Sequence, residues 1–336
     1  MSCPTEIRSR DARSLHALSA GAFALQRLKA SGSGRTVAKF THSLYVRFAT
    51  GSFACVGTQA IGAGPLNVLL AQCDWIGLHA LPLGAPVEAS KRALSFADAH
   101  RVMLTRAASW RPHRITFRRD VLSRQLRVLA RLAPPLLPEI GLSRLAFAPP
   151  SRSTEDPAVR HAAPGWDALE RWIARCMTEP VAMPTPHPSM SRLIGLGPGL
   201  TPSGDDVFCG VLVALDALGL DAAVATLWSW LRPQLAEGTS ALSAAHLGAA
   251  AVGQGHSALH AVLECTAANE SALDIALIRL GQVGHCSGWD ALAGAVAVLR
   301  AYAARDAVSR TASSAACAFD GATVTPACSS VRHCAE

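Results

Sequence analysis

The stretch Leu193-Ile-Gly-Leu-Gly-Pro-Gly-Leu-Thr-Pro-Ser-Gly-Asp-Asp-Val-Phe-Cys-Gly210 concentrates the residue types that do chemistry in this chain. Glycines at 195, 197 and 199 imply unusual backbone torsions or close approach of a ligand. A dinucleotide G-x-G-x-x-G fingerprint fails, because the window from Gly195 ends on Leu200 and the window from Gly197 on Pro202. A phosphate-binding P-loop fails too: Gly199 and Gly204 have its spacing, but Asp205 and Asp206 stand where Lys and Ser/Thr belong. What remains is a glycine-rich loop feeding a helix at Ser203, with Ser203 and Asp206 spaced as in a capping box. Two readings stay open. Ser and Asp suit a first turn through capping and the helix dipole alone. Equally, the free N–H groups there suit a phosphate or carboxylate, and the aspartates an amide, ammonium or metal ion. On the second reading Gly197, Gly199, Thr201, Ser203, Gly204, Asp205 and Asp206 line a ligand site.

Ser203-Gly-Asp-Asp206-Val-Phe-Cys-Gly210 and Ser287-Gly-Trp-Asp290-Ala-Leu-Ala-Gly294 share S-G-x-D-x-x-x-G, 84 residues apart. Two helix N-termini built alike are expected to face each other across a pseudo-twofold and converge on one ligand, adding Ser287, Gly288 and Asp290 to the site. Capping rules alone can also produce so short a match. Other constellations are weaker. His256, His260 and Glu264 fall at i, i+4, i+8, but a solvated stripe is the commoner origin of that pattern, and no metal or other cofactor is expected. Cys286 beside His285 is no dyad, since adjacent side chains diverge, and Ser203 follows Pro202 rather than sitting in a nucleophile elbow. No catalytic residue is assigned.

These elements need a frame, and the chain predicts an α+β protein in two parts. From Thr36 to Val87, β-rich runs at Leu44–Ala49, Phe53–Val56, Leu66–Leu70 and Trp75–Leu83 are separated by Gly51, Gly57, Gly62 and Gly64, which predicts antiparallel hairpins. Arg118–Leu132 reads as an amphipathic helix with an arginine face, solvated or docked on an acidic partner. We expect a β-rich domain over 1–133, a Pro-rich linker over 134–190 with one helix at Trp166–Met177, a helical ligand-binding domain over 191–305 and a disordered tail over 306–336. Helices are predicted at 207–218, 222–231, 240–251, 258–267, 272–280 and 291–304.

Composition narrows the classes. The formal charge of +7 is almost all arginine, the lysines being Lys29, Lys39 and Lys91, and with only 5% aromatic residues the stacking platforms of a nucleic-acid binder are scarce. Ten cysteines include no C-x-x-C pair, so neither a zinc site nor a disulfide framework is indicated. Arg8, Arg10, Asp11 and Arg13 precede any apolar stretch, and Asp216 and Asp221 break the best membrane-span candidate. The expectation is a reduced, cytoplasmic protein without membrane or nucleic-acid partners.

The Gly-Pro-Gly-Leu-Thr-Pro-Ser-Gly-Asp-Asp run from Gly197 to Asp206 resembles the signature of the AllH-like family, whose named member is a subunit of oxamate carbamoyltransferase. Val283–Gly294, Thr239–Gly253 with Ser243 and Leu247, and Gly64-Pro-Leu-Asn-Val68 are similar to that family's pattern, so the resemblance runs from about His42 to Arg300. It implies a role in purine-derived nitrogen metabolism such as allantoin degradation, where oxalurate and phosphate interconvert with oxamate and carbamoyl phosphate. It also implies an assembly with other carbamoyltransferase subunits, a small anionic metabolite as ligand, and a chain that is inactive alone. The alternative is a non-catalytic metabolite-binding or scaffold subunit.

Overall fold

A computed structural model describes residues 13–97, 99–147, 156–178, 183–265 and 270–319. The chain opens with β1 (Arg13–His16), β2 (Ser19–Gly21), α1 (Ala22–Leu28), β3 (Gly32–Lys39), β4 (Ser43–Phe48), β5 (Phe53–Thr58) and β6 (Asn67–Leu70). It continues through α2 (Gln72–His79), β7 (Pro86–Ala89), β8 (Ala93–Phe96), β9 (His100–Met103) and β10 (Ala108–Trp110). The ten strands form one sheet in the order β1-β9-β8-β7-β3-β4-β5-β6-β2-β10.

Most pairings are antiparallel, as the glycine-punctuated runs predict, and Gly51 turns the β4–β5 hairpin at φ +79°. The hairpin expectation fails between β5 and β6, which run parallel, as do β1 with β9 and β2 with β10. The reason lies in the connection after Thr58. It leaves the sheet to reach the helical half, where the Ser257 N–H donates to Ala63 O (2.9 Å) and His256 Nε2 meets Ile61 O (2.8 Å), and it returns to lay β6 alongside β5. The strand expected at Trp75–Leu83 is instead helix α2. Trp75 and Leu78 are buried three residues apart while Ile76 is 76% exposed, a helical spacing that an apolar run alone does not disclose. Every residue of β5 is buried, because the strand is covered on both faces. Ala54 and Val56 join the sheet's own core with Leu44, Val46 and Phe96, while Phe53 packs with Phe23, Leu66, Leu242 and Ala249.

The helical part comprises α3 (Arg119–Leu132), α4 (Arg144–Phe147), α5 (Pro157–Thr178), α6 (Ser203–Ala217), α7 (Asp221–Leu231), α8 (Leu235–Gly238), α9 (Ala241–Ala250), α10 (Ser257–Glu264), α11 (Glu270–Leu280) and α12 (Ser287–Phe319). The tail expected over 306–336 overlaps α12 up to Phe319, and 320–336 lie outside the described residues. Leu122, Val128 and Leu129 of α3 and Trp166, Leu169 and Trp172 of α5 belong to the same core as α6 and α12. Arg124 and Arg127 of α3 are exposed. Among the described residues no helix is long and apolar enough to cross a membrane.

At the centre of this part α6 crosses α12 at backbone contact distance. A Cβ on Gly210 would lie 1.7 Å from Ala291 O, and one on Gly294 would lie 2.0 Å from Val207 O. Residues 207 and 210 map onto 291 and 294 by the same offset of 84 that relates the two sequence motifs, so the two contacts are symmetry mates about a local pseudo-twofold. Each motif's last glycine is there because only hydrogen fits against the other helix's carbonyl.

Candidate functional site

The glycine-rich loop owes its shape to three left-handed residues, Gly195 at φ +67°, Gly197 at +119° and Gly199 at +94°. Asp205, in the first turn of α6 and fully buried, ties the loop down. Its Oδ1 accepts from the Gly195 N–H (2.9 Å), and its Oδ2 accepts from the hydroxyls of Thr239 and Ser243, the latter at 2.7 Å. The Gly204 N–H donates to Leu196 O (2.9 Å), and Ser240, which caps α9 by accepting from the Ser243 N–H, donates its hydroxyl to Leu200 O (2.5 Å). Among the described residues the N–H groups of Gly197, Gly199 and Thr201 have no bond, and Pro198, Gly199 and Leu200 form an exposed rim.

The capping reading is not realised in α6. Pro202 is the N-cap residue and no side chain caps the helix, so Ser203 and Asp206 do not form a capping box. They turn instead to the second motif. Ser203 Oγ lies 3.4 Å from Cys286 Sγ, and Thr201 Oγ1 lies 3.1 Å from Ser287 Oγ. The Ser287 hydroxyl also stands beside the Asp206 carboxyl, and the Ser203 hydroxyl beside Asp290. The relation is reciprocal: the serine that opens each helix attends the aspartate of the other, the pseudo-twofold extended to the side chains. Gly204 and Gly288 seat each helix start against the segment that precedes it, since a Cβ would lie 1.8 Å from Leu193 O at the first and 2.3 Å from Leu280 O at the second. These two glycines serve packing.

Asp290 is fully buried, and its Oδ1 accepts the N–H groups of Leu142 (2.7 Å) and Ser143 (2.9 Å), fixing the start of α4. Asp206 is 8% exposed. In both aspartates the Oδ2 is buried without a hydrogen-bond partner. Burial pushes both carboxyls up: Asp290 to about 6, against the pull of Ser203, Cys286 and the two N–H groups, and Asp206 well above the usual carboxylate range, with Asp290 and Asp205 adding repulsion. No cation pairs with the three acids, Arg13–Asp74 at 3.7 Å being the ion pair recorded among the described residues. Burial therefore favours the neutral form of Asp206, the form in which a carboxyl can donate a hydrogen bond. Burial and Asp290 also push the Cys286 thiol up to about 12, so it is no thiolate nucleophile.

The loops thus bring together Thr201, Ser203, Asp206, Ser287 and Asp290, while Asp205 is committed to holding the loop. The arrangement offers N–H and O–H donors to a small polar ligand, beside two carboxyls whose neutral forms burial favours. The holders of Asp205, Thr239 and Ser243, were marked in the sequence only by the family-like Thr239–Gly253 segment, which assigned them no role. Leu142 and Ser143 carried no mark, because backbone groups recruited from 148 residues away leave no local pattern. The histidine triplet is not a ligand set. His256 caps α10 through Nδ1, accepting from the Ala258 N–H (3.2 Å), while Nε2 faces Ile61 O, and His260 Nε2 accepts from the Gly255 N–H (3.1 Å). Among the described residues no group of His, Cys, Asp and Glu is placed to hold a metal.

Asp290 gives the fold a distinctive pH response. Its folded-state pKa of about 6 is above that of an unfolded carboxyl, so its contribution to stability is fully present below about pH 4. That contribution is lost as pH rises to about 6, a decline of roughly 3 kcal/mol. Asp290→Asn keeps an Oδ1 acceptor for Leu142 and Ser143 and cannot titrate. Relative to wild type it is expected to gain roughly 3 kcal/mol between pH 4 and pH 7, read from paired urea titrations. A difference between the two proteins that does not change with pH would rule this out.

No curated protein and no solved structure matches this chain. The stretch from the first residue of the glycine motif through α12's crossing with α6 does match a family, and it contains both loops of the site. Over residues 193–299 the chain is AllH-like, matching the family described as oxamate carbamoyltransferase subunit AllH.

Proposed function

We propose that this chain is one subunit of an oxamate carbamoyltransferase-like assembly and that the paired helix N-termini of α6 and α12 bind its small anionic ligand. The observation that carries the reading is that the AllH match spans both loops of a reciprocal site whose two buried carboxyl oxygens lack partners. Oxamate offers a carboxylate and an amide; carbamoyl phosphate offers a phosphate and an amide. The N–H groups of Gly197, Gly199 and Thr201, with the hydroxyls of Thr201, Ser203 and Ser287, supply donors for the anionic end. The free oxygen of Asp206 supplies an acceptor for the amide, and the burial that favours its neutral form reduces charge repulsion beside the ligand.

Such a site orients a ligand and does not complete a catalyst. Carbamoyl transfer between oxalurate and phosphate needs charge stabilisation at the tetrahedral carbon and at the phosphate, and no cation stands beside these carboxyls among the described residues. A partner subunit supplies that half of the chemistry, and the exposed arginines of α3, Arg124 and Arg127, offer a face for docking it.

The test is phosphate-dependent oxalurate cleavage by the purified chain and by the chain co-expressed with the products of its neighbouring genes. Turnover in the assembly alone is the expected result. Turnover by the isolated chain refutes the subunit reading. Inactivity in both, with tight binding of another metabolite, transfers the chain to the alternative of a metabolite-binding or scaffold subunit.

A further inference from the structure

We propose that a cleft between the sheet and helix α9 is a second binding site, built for a planar aromatic or heteroaromatic acid. The cleft has a volume of about 470 Å³, within the range of small-molecule sites. Its lining includes the buried Phe23 of α1, Phe53 of β5 and Leu66, together with Trp228 of α7. Its floor is the small-residue face of α9, where Ala241, Ala244, Ala245 and Gly248 follow at helical spacing. A Cβ on Gly248 would meet Trp228 Cη2 at 3.8 Å, ordinary contact distance, so the indole edge bounds the cleft at Gly248. Aromatic walls facing a flat floor suit a ring rather than an alkyl chain.

The charge at the mouth decides what kind of ring. Arg27 stacks over Phe23, one helical turn away on α1, with its guanidinium carbon 4.3 Å from the ring centroid. Arg47 lies over Phe53, its cross-strand partner, at 6.0 Å. Both arginines are exposed, both line the cleft, and among the described residues neither has an acidic partner. A stacked guanidinium keeps the N–H fork at its edge free, and that fork matches a carboxylate or phosphate. Two such forks above an apolar slot select a ligand with an apolar ring and an anionic end. This ligand is distinct from the one at the glycine loop, although Thr239 is common ground: it lines the cleft and donates its hydroxyl to Asp205.

The probes are 2-naphthoate and its uncharged counterpart 2-naphthamide, titrated calorimetrically into the full chain, with quenching of Trp228 fluorescence as a second readout. Saturable one-to-one binding of the naphthoate is expected, with the naphthamide weaker by about tenfold or more. Arg27→Gln and Arg47→Gln, exposed positions whose folding is checked by thermal melts, are each expected to weaken naphthoate binding about tenfold and to leave the naphthamide unchanged. Gly248→Leu fills the slot and removes binding of both, and Trp228→Phe removes the quenching without removing the heat. Equal affinity for the two probes, or naphthoate binding indifferent to both arginine variants, overturns the proposal in favour of a plain apolar patch. Absence of saturable binding into the millimolar range overturns it outright.

Discussion

Gly210→Ala is expected to lower the melting temperature by about 6 to 12 °C, although alanine is the better helix former by about 1 kcal/mol. The added methyl meets Ala291 O, a backbone atom held inside α12, and cannot be relieved by a rotamer change. The helices must separate, at a cost of about 3 to 4 kcal/mol. Gly294→Ala presses on Val207 O from the other side of the same crossing and carries a similar cost. Because either methyl opens the gap the other needs, the double variant is expected to lose clearly less than the sum of the two. Gly248→Ala is the control, since its methyl sits at an ordinary 3.8 Å from Trp228, and helix propensity alone then stabilises it by up to about 1 kcal/mol. Thermal and urea unfolding of the four proteins measures all of this. Equal behaviour of Gly210→Ala and Gly248→Ala would show that α6 and α12 are not in backbone contact.

Asp205→Ala is expected to be the most damaging change in the glycine motif. It strands the Gly195 N–H and the Thr239 and Ser243 hydroxyls in a buried place, at about 1 to 3 kcal/mol for each group left unsatisfied. We expect a total loss of about 3 to 5 kcal/mol, because hydroxyls re-aim and recover part of it. Asp206→Asn behaves oppositely. Burial already favours the neutral form of the native carboxyl, so the amide replaces it at a cost of about 1 kcal/mol or less, while the donor and acceptor it presents to a ligand are changed. The measurement pairs melting curves with calorimetric titration of oxamate and of phosphate into the co-expressed assembly. Asp205→Ala is expected to lose stability and binding together, and Asp206→Asn to lose binding with its melting point nearly intact. Equal loss of both properties in Asp206→Asn would make that residue structural.

The contrast between neighbouring aspartates marks where sequence reading stops. Glycine spacing announced an irregular loop at 195–199, and all three glycines are left-handed. The S-G-x-D-x-x-x-G repeat announced two like helix starts. Which aspartate ties the loop down and which faces the other helix depends on Thr239, Ser243 and Leu142, contacts between distant segments that no local pattern encodes. Helices followed their periodicity, as at α11 (Glu270–Leu280), because apolar residues at i, i+3, i+4 fix a face, whereas α5 starts at Pro157, ahead of the Trp166 expected, and carries Pro164 inside it. Among the strands, Ser43–Phe48, Phe53–Thr58 and Asn67–Leu70 were legible as apolar runs between glycines. Arg13–His16, Pro86–Ala89 and Ala108–Trp110 were not, since three or four mixed residues carry too little alternation to be distinguished from loop.

The reciprocal pairing of α6 with α12 also sets when the site comes into being. Its two halves lie 84 residues apart, with α7 to α11 folded between them, so neither loop meets the other until that intervening chain has been ordered. Contacts of such long range form late, after the entropy of closing the segment has been spent. On the proposed function, chains that end before α12 are expected to lack the second loop and to show no ligand binding. Recovery of ligand affinity during refolding should lag behind recovery of far-ultraviolet helical signal, and the lag times the arrival of α12.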